Sequence, residues 1–101
     1  MGAEALQALG PDGVIVNISR GTTIDESALL DALENGTIAG AGLDVFLNEP
    51  RIDPRFMALD NVVLQPHQGS GSVETRREMA LLQLANITAF LDNEPLKTPV
   101  N

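Results

Sequence analysis

At 101 residues the chain has room for one small domain, and 44% hydrophobic with 20% charged residues is ordinary for a soluble globular chain. Fourteen acidic against six basic side chains leave a formal net charge of -8, which argues against nucleic acid or an anionic membrane as a partner. The lack of cysteine excludes disulfides and zinc–thiolate sites, and a single His excludes a multi-histidine metal site within one chain, so no metal is expected.

In chain order, Ala3 to Leu9 reads as a short helix ended by Gly10-Pro11, with a turn at Asp12-Gly13. Val14 to Ile18 is a largely β-branched run, the pattern of a strand buried on both faces. Thr23 with Glu26 forms a capping-box pattern, with Asp25 as the alternative cap. The helix after it sets Leu29, Leu33, Ala28 and Ala32 on one face and ends at Gly36. Ile38 to Phe46 reads as the second strand; Gly40 and Gly42 inside it predict close approach by a helix or a ligand. Asn48 to Asp53 is a loop, Pro54 to Leu59 a short helix, and Val62 to Leu64 the third strand. After the Gly/Ser loop Gln68 to Ser72, a long helix capped by Ser72 runs to about Asp92. Val73, Arg77, Ala80, Leu81, Leu84, Ile87 and Leu91 fall on it at helical spacing. Leu96 to Asn101 is an irregular tail. With aromatics at only 3%, Leu, Val, Ile and Ala are expected to build the core.

The start Met1-Gly2-Ala3-Glu4 has neither a basic nor an apolar leader region, so no signal peptide is expected. Glu74, Arg76, Arg77 and Glu78 keep the longest helix out of a bilayer. A cytoplasmic location is the expectation.

Strands alternating with helices imply an α/β fold with a parallel three-stranded sheet and right-handed crossovers. Ligands of such sheets bind beyond the carboxyl ends of the strands. Arg20, Asp44, Glu49 and His67 all fall at or after those ends. Arg20 offers a planar fork of donors matched to a carboxylate, although a solvated Arg before a turn glycine looks the same. Asp44 lies in an apolar strand and needs a partner, either a ligand amide or a nearby backbone cap. His67 can exchange a proton near neutral pH, and Glu49 could orient its imidazole and keep it ready to donate. Singly, His67 reads as a structural hydrogen-bonder and Glu49 as a loop acid. Gly40-Ala41-Gly42 opens no helix and is no dinucleotide fingerprint. Gly69-Ser70-Gly71-Ser72 does open one, and either favours a polar ligand or serves only as a flexible cap.

Taken together these segments resemble the D-isomer-specific 2-hydroxyacid dehydrogenases. The matching text is Val16-Asn17-Ile18-Ser19-Arg20-Gly21, Ile24-Asp25-Glu26, Ala39 to Phe46 with Glu49-Pro50, and Asn61 to His67. Gln65 to Gly71 followed by Glu74-Thr75-Arg76 looks most like the glyoxylate/hydroxypyruvate and hydroxyphenylpyruvate reductase branch. The resemblance implies that Arg20 binds the substrate carboxylate and keto oxygen. His67 would be general acid in ketone reduction and base in alcohol oxidation, with Glu49 as its partner. Ile18, Ser19, Arg20, Asp44, His67, Gln68, Gly69 and Ser70 would line the nicotinamide pocket of NAD or NADP.

The family's enzymes are much longer. By the resemblance, residues 1–92 correspond to the second half of a Rossmann-like NAD(P)-binding domain and 93–101 to a tail. The substrate domain, the Gly-rich pyrophosphate loop and the residue that separates NAD from NADP have no counterpart here. The expectation is a piece of an oxidoreductase that moves a hydride between NAD(P)H and a small 2-keto acid, inactive by itself. Its exposed first strand should promote homo-oligomers. The alternative is a non-enzymatic folding or assembly module, or a dehydrogenase-like binding protein.

Overall fold

The computed structural model describes residues 1–100. They form two compact units, Met1–Gly69 and a second from Ser70 onward.

In the first unit, β1 (Val14–Asn17), β2 (Gly40–Leu43) and β3 (Val62–Leu64) lie side by side in that order, all parallel. This is the Rossmann-like α/β sheet implied by the alternation of elements. The register pairs Val14 with Gly40, Asn17 with Leu43 and Leu43 with Leu64. Paired residues of neighbouring strands point to the same face. One face therefore carries Ile15, Asn17, Ala41, Leu43, Val62 and Leu64. It meets the core formed by Leu6 of α1 (Ala3–Leu9), Leu29, Leu30 and Leu33 of α2 (Glu26–Glu34), and Ile38.

The core departs from the expected aliphatic composition. Phe56 is the largest fully buried side chain. It meets Phe46 edge to face at a centroid distance of 5.5 Å. Few aromatics in a composition do not mean few in the core, because one buried ring fills the volume of several small residues. Phe56 arrives on a 3-10 helix, Pro54–Ala58, where a short helix was expected.

The expected two-sided burial of the first strand does not occur. Val14, Val16 and Ile18 are 61%, 69% and 70% exposed, and Val63 of β3 is 64% exposed on the same face. A β-branched run fits a covered face equally well whether or not a cover is present. Both long strands are also shorter than the pattern implied, β1 ending at Asn17 and β2 spanning only Gly40–Leu43.

Asp25, not Thr23, caps α2, its Oδ1 accepting from the Ala28 amide at 3.1 Å. Thr23 Oγ1 instead donates to the Arg20 carbonyl at 2.5 Å. Gly36 ends α2 as expected, with a φ of 68°. The amides of Gly36 and Thr37 return to the carbonyls of Leu33 and Ala32, the double bond pattern of a Schellman stop. The neighbour that crowds Gly40 is neither helix nor ligand. A Cβ there would lie 2.7 Å from the Asn61 carbonyl oxygen, where the chain enters β3.

In the second unit, Ser72 caps α3 (Val73–Leu91), its Oγ accepting from the Thr75 amide at 3.1 Å. Asn86 clasps the tail to this helix. Its Oδ1 accepts from the Lys97 and Thr98 amides at 3.0 and 3.3 Å, and its Nδ2 donates to the Leu82 carbonyl at 3.0 Å. Ala89 is buried, whereas Leu81, Leu84, Ile87 and Leu91 of the expected apolar face are exposed. No helix among the described residues is long and apolar enough to cross a membrane. Of the expected tail, Asn101 lies outside the described residues.

Candidate active site

The site begins with Asn17, the last residue of β1 and only 6% exposed. Its Oδ1 accepts from the Ser19 amide at 3.1 Å and from the Ser19 hydroxyl at 2.9 Å. Thr23 Oγ1 lies 3.2 Å from the same oxygen. Asn17 Nδ2 donates to the Arg20 carbonyl at 3.0 Å. One buried amide thus satisfies the backbone as it leaves the sheet and shapes the loop that carries Arg20. Arg20 itself is extended and exposed; its Nη1 donates to the Ser19 carbonyl at 2.6 Å.

Gly21 lets this loop close onto the next strand's exit. A Cβ at Gly21 would lie 2.2 Å from the carbonyl of Phe46 and 2.6 Å from the amide nitrogen of Leu47. Relief of such an overlap requires the backbone itself to shift, so glycine is strongly favoured here.

Beyond β2 the chain turns, and Glu49 folds back. Its Oε1 accepts from the Phe46 amide at 2.8 Å, and its Oε2 lies 2.6 Å from His67 Nδ1. A carboxylate can only accept, so Nδ1 carries the proton and Nε2 is the free end of the ring. The bond to His67, and then the Phe46 amide, hold the Glu49 carboxyl below the ordinary glutamate range.

His67 sits just past β3 in the left-handed backbone region, with φ of 55°. For a residue with a Cβ this costs roughly 1–2 kcal/mol. The next two amides offset the strain. Gln68 donates to Asp44 Oδ1 and Gly69 to Asp44 Oδ2, each at 2.7 Å. Asp44 is 6% exposed, and the partner it required is this pair of backbone amides.

Arg20, Glu49 and His67 line one cleft of about 290 Å³, with Gly21, Phe46 and Leu47. A second, mainly apolar cleft of about 340 Å³ shares Phe46, Glu49 and His67 and extends over Ile52, Met57 and Leu64. Ile18 is exposed at the exit of β1, and Ser19 is held by Asn17. Gln68 and Gly69 are held by Asp44, while Ser70 opens the second unit. Asn17 and Gly21 shape the cleft as well, and Glu26 accepts from the Leu47 amide beside it at 2.8 Å, though no sequence pattern singles out these three as site residues. The nearest to a signal is the lone amide of Asn17 ending a β-branched strand; the contacts of the other two are long-range.

The family model for the D-isomer specific 2-hydroxyacid dehydrogenase, NAD binding domain, matches residues 1–69. This chain belongs to that family. Within it, the 2-ketogluconate reductase of Gluconobacter oxydans is 57% identical over 97 residues, covering 96% of this chain and 31% of the relative. The hydroxyphenylpyruvate reductase of Plectranthus scutellarioides is 52% identical over 97 residues, with the same coverage. Among solved structures, the NADPH-dependent glyoxylate/hydroxypyruvate reductase of Sinorhizobium meliloti, in complex with NADP and malonate, superposes with a TM-score of 0.92. It shares 50% identity and covers 98% of this chain and 31% of that one. The chain thus spans about a third of the length of these dehydrogenase-family relatives.

Proposed function

We propose that this chain supplies the proton-transfer and substrate-carboxylate end of an NAD(P)-dependent reductase of small 2-keto acids, of the glyoxylate/hydroxypyruvate kind. The observation that carries the reading is the meeting of Arg20 with the Glu49–His67 pair in one cleft.

The guanidinium of Arg20 takes the substrate carboxylate and polarises the keto oxygen. His67 gives a proton from Nε2 to that oxygen as the carbonyl is reduced, and takes it back when the alcohol is oxidised. Glu49 keeps Nδ1 protonated and fixes the ring's direction, so the free nitrogen faces the cleft. Bound NAD(P)H supplies the hydride to the keto carbon.

The donor set fits the nicotinamide end of that cofactor. Each Asp44 oxygen uses one acceptor position on a loop amide and retains another for a carboxamide N–H. The backbone at Ile18 and Ser19 is presented just beyond β1, with Arg20, His67, Gln68, Gly69 and Ser70 completing the proposed cofactor contacts. We read residues 1–92 as the dinucleotide-binding portion and 93–101 as its tail.

A chimaera in which this chain replaces the matching third of the Gluconobacter reductase tests the reading. It should oxidise NADH or NADPH with a 2-keto acid. His67→Gln should lower kcat by roughly 10²–10⁴-fold. A folded chimaera that binds cofactor without turnover would defeat it. The chain alone is expected to bind neither nucleotide tightly, since tight binding draws on a pyrophosphate loop. Self-association through the bare face of the sheet is the second reading, favoured by the exposure of Val14, Val16 and Val63.

A further inference from the structure

We propose that Glu26, in the first turn of α2, is a positioning residue for the Glu49–His67 pair, acting through the Phe46–Leu47 peptide. The proposal rests on the dehydrogenase reading of the cleft and extends it to a residue outside that cleft.

Glu26 Oε2 accepts from the Leu47 amide at 2.8 Å, across 21 residues of chain. The preceding amide, Phe46, donates to Glu49 Oε1 at the same distance. Two successive amides are thus held by two different carboxylates, one from a helix and one from the turn itself. Apart from the bond between Glu49 and His67, no other hydrogen bond among the described residues ties the turn Phe46–Pro50 to another element.

Helix capping does not account for Glu26. Asp25 already performs that task through the Ala28 amide. The Glu26 carboxylate is therefore spent on a long-range, charge-assisted bond. Gly21 packs against the same peptide, since even a Cβ there would overlap the Phe46 carbonyl. The Phe46–Leu47 peptide is gripped between the Arg20 loop and the start of α2. That grip sets Glu49, and through it the His67 ring, relative to Arg20. Errors of about 1 Å in such settings cost large factors in rate.

The test is a pH titration of the protein by NMR, comparing wild type with Glu26→Gln and Glu26→Ala. In the wild type the Leu47 amide proton should lie downfield of its position in Glu26→Ala, marking the bond to the Glu26 carboxylate. The Glu49 carboxyl midpoint, read at its 13C resonance, should rise toward the ordinary glutamate value in Glu26→Ala. It should rise less in Glu26→Gln, whose amide oxygen still accepts from Leu47. The downfield His67 Nδ1 proton should move upfield in the same order. A lowered melting temperature with an unmoved Glu49 midpoint would show a merely structural role and overturn the proposal. Should Glu26→Ala not fold, the Glu49 midpoint in Glu26→Gln decides alone, and no movement there overturns it. No cofactor or substrate enters these measurements, so they can fail while the chimaera stands, and the reverse.

Discussion

Glu49 Oε2 lies 2.6 Å from His67 Nδ1, while the second oxygen of the same carboxylate takes the Phe46 amide at 2.8 Å. The carboxyl is held below its usual value of 4.5, chiefly by His67. A depressed carboxyl binds fewer protons folded than unfolded. Its contribution to stability is complete above the ordinary glutamate value and is lost as pH falls through the folded value. The urea midpoints of wild type and Glu49→Gln should therefore differ most above pH 4.5 and converge below it. A gap that widens on acidification would contradict the pairing.

Asn17 joins β1 to the Arg20 loop through four hydrogen-bond contacts. Asn17→Ala removes the acceptor of the Ser19 amide and hydroxyl, while the Arg20 carbonyl keeps its Thr23 donors, and should cost about 1–3 kcal/mol. Equilibrium urea unfolding measures this. Hydrogen exchange at Ser19 and Thr23 should quicken more than at β3; equal changes throughout the unit would mean that the loop does not depend on Asn17.

Gly21→Ala drives a methyl into the Phe46 carbonyl. The backbone must part, at a cost of roughly 1–3 kcal/mol, and the Phe46 and Leu47 amide resonances should shift. Gly42→Ala is the control, since its Cβ would meet only Val16 methyls at 3.7 Å or more. If the two substitutions prove equally mild, the Arg20 loop is not packed as described.

Asp44→Asn replaces one acceptor oxygen by a donor opposite a backbone N–H. The buried mismatch should destabilise by about 1–3 kcal/mol. Exchange at Gln68 or Gly69 should rise, and the His67 ring signals should broaden as its left-handed backbone is released. Unchanged protection at both amides would show that Asp44 does not hold the His67 loop.

Sedimentation at micromolar concentration should find the chain self-associated, with Val16→Glu raising the monomer fraction. Val16 is 69% exposed at the centre of an apolar strip that also holds Val14 and Val63, and exposed apolar faces of this kind recruit further chains. At physiological salt, repulsion from the net charge of -8 is screened beyond about 8 Å. A stable monomer in the wild type would end this expectation.

Much of this protein is written locally. Ser72 starts α3 and Gly36 stops α2 because caps act on amides and carbonyls within one helical turn. The placement of Arg20, Glu49 and His67 was legible too, since parallel strands deliver their carboxyl ends to a common rim. Tertiary structure alone decided where the side chains went from there. Glu26 reads as a capping-box member but reaches Leu47; Thr23 reads as a cap but serves the Arg20 carbonyl; Gly21 is favoured by the closeness of Phe46. Asp44 had two open partners, and the fold supplied the Gln68 and Gly69 amides. Val14 to Ile18 shows most plainly why. A β-branched pattern records which side chains tolerate burial, but whether they are buried depends on what lies against them.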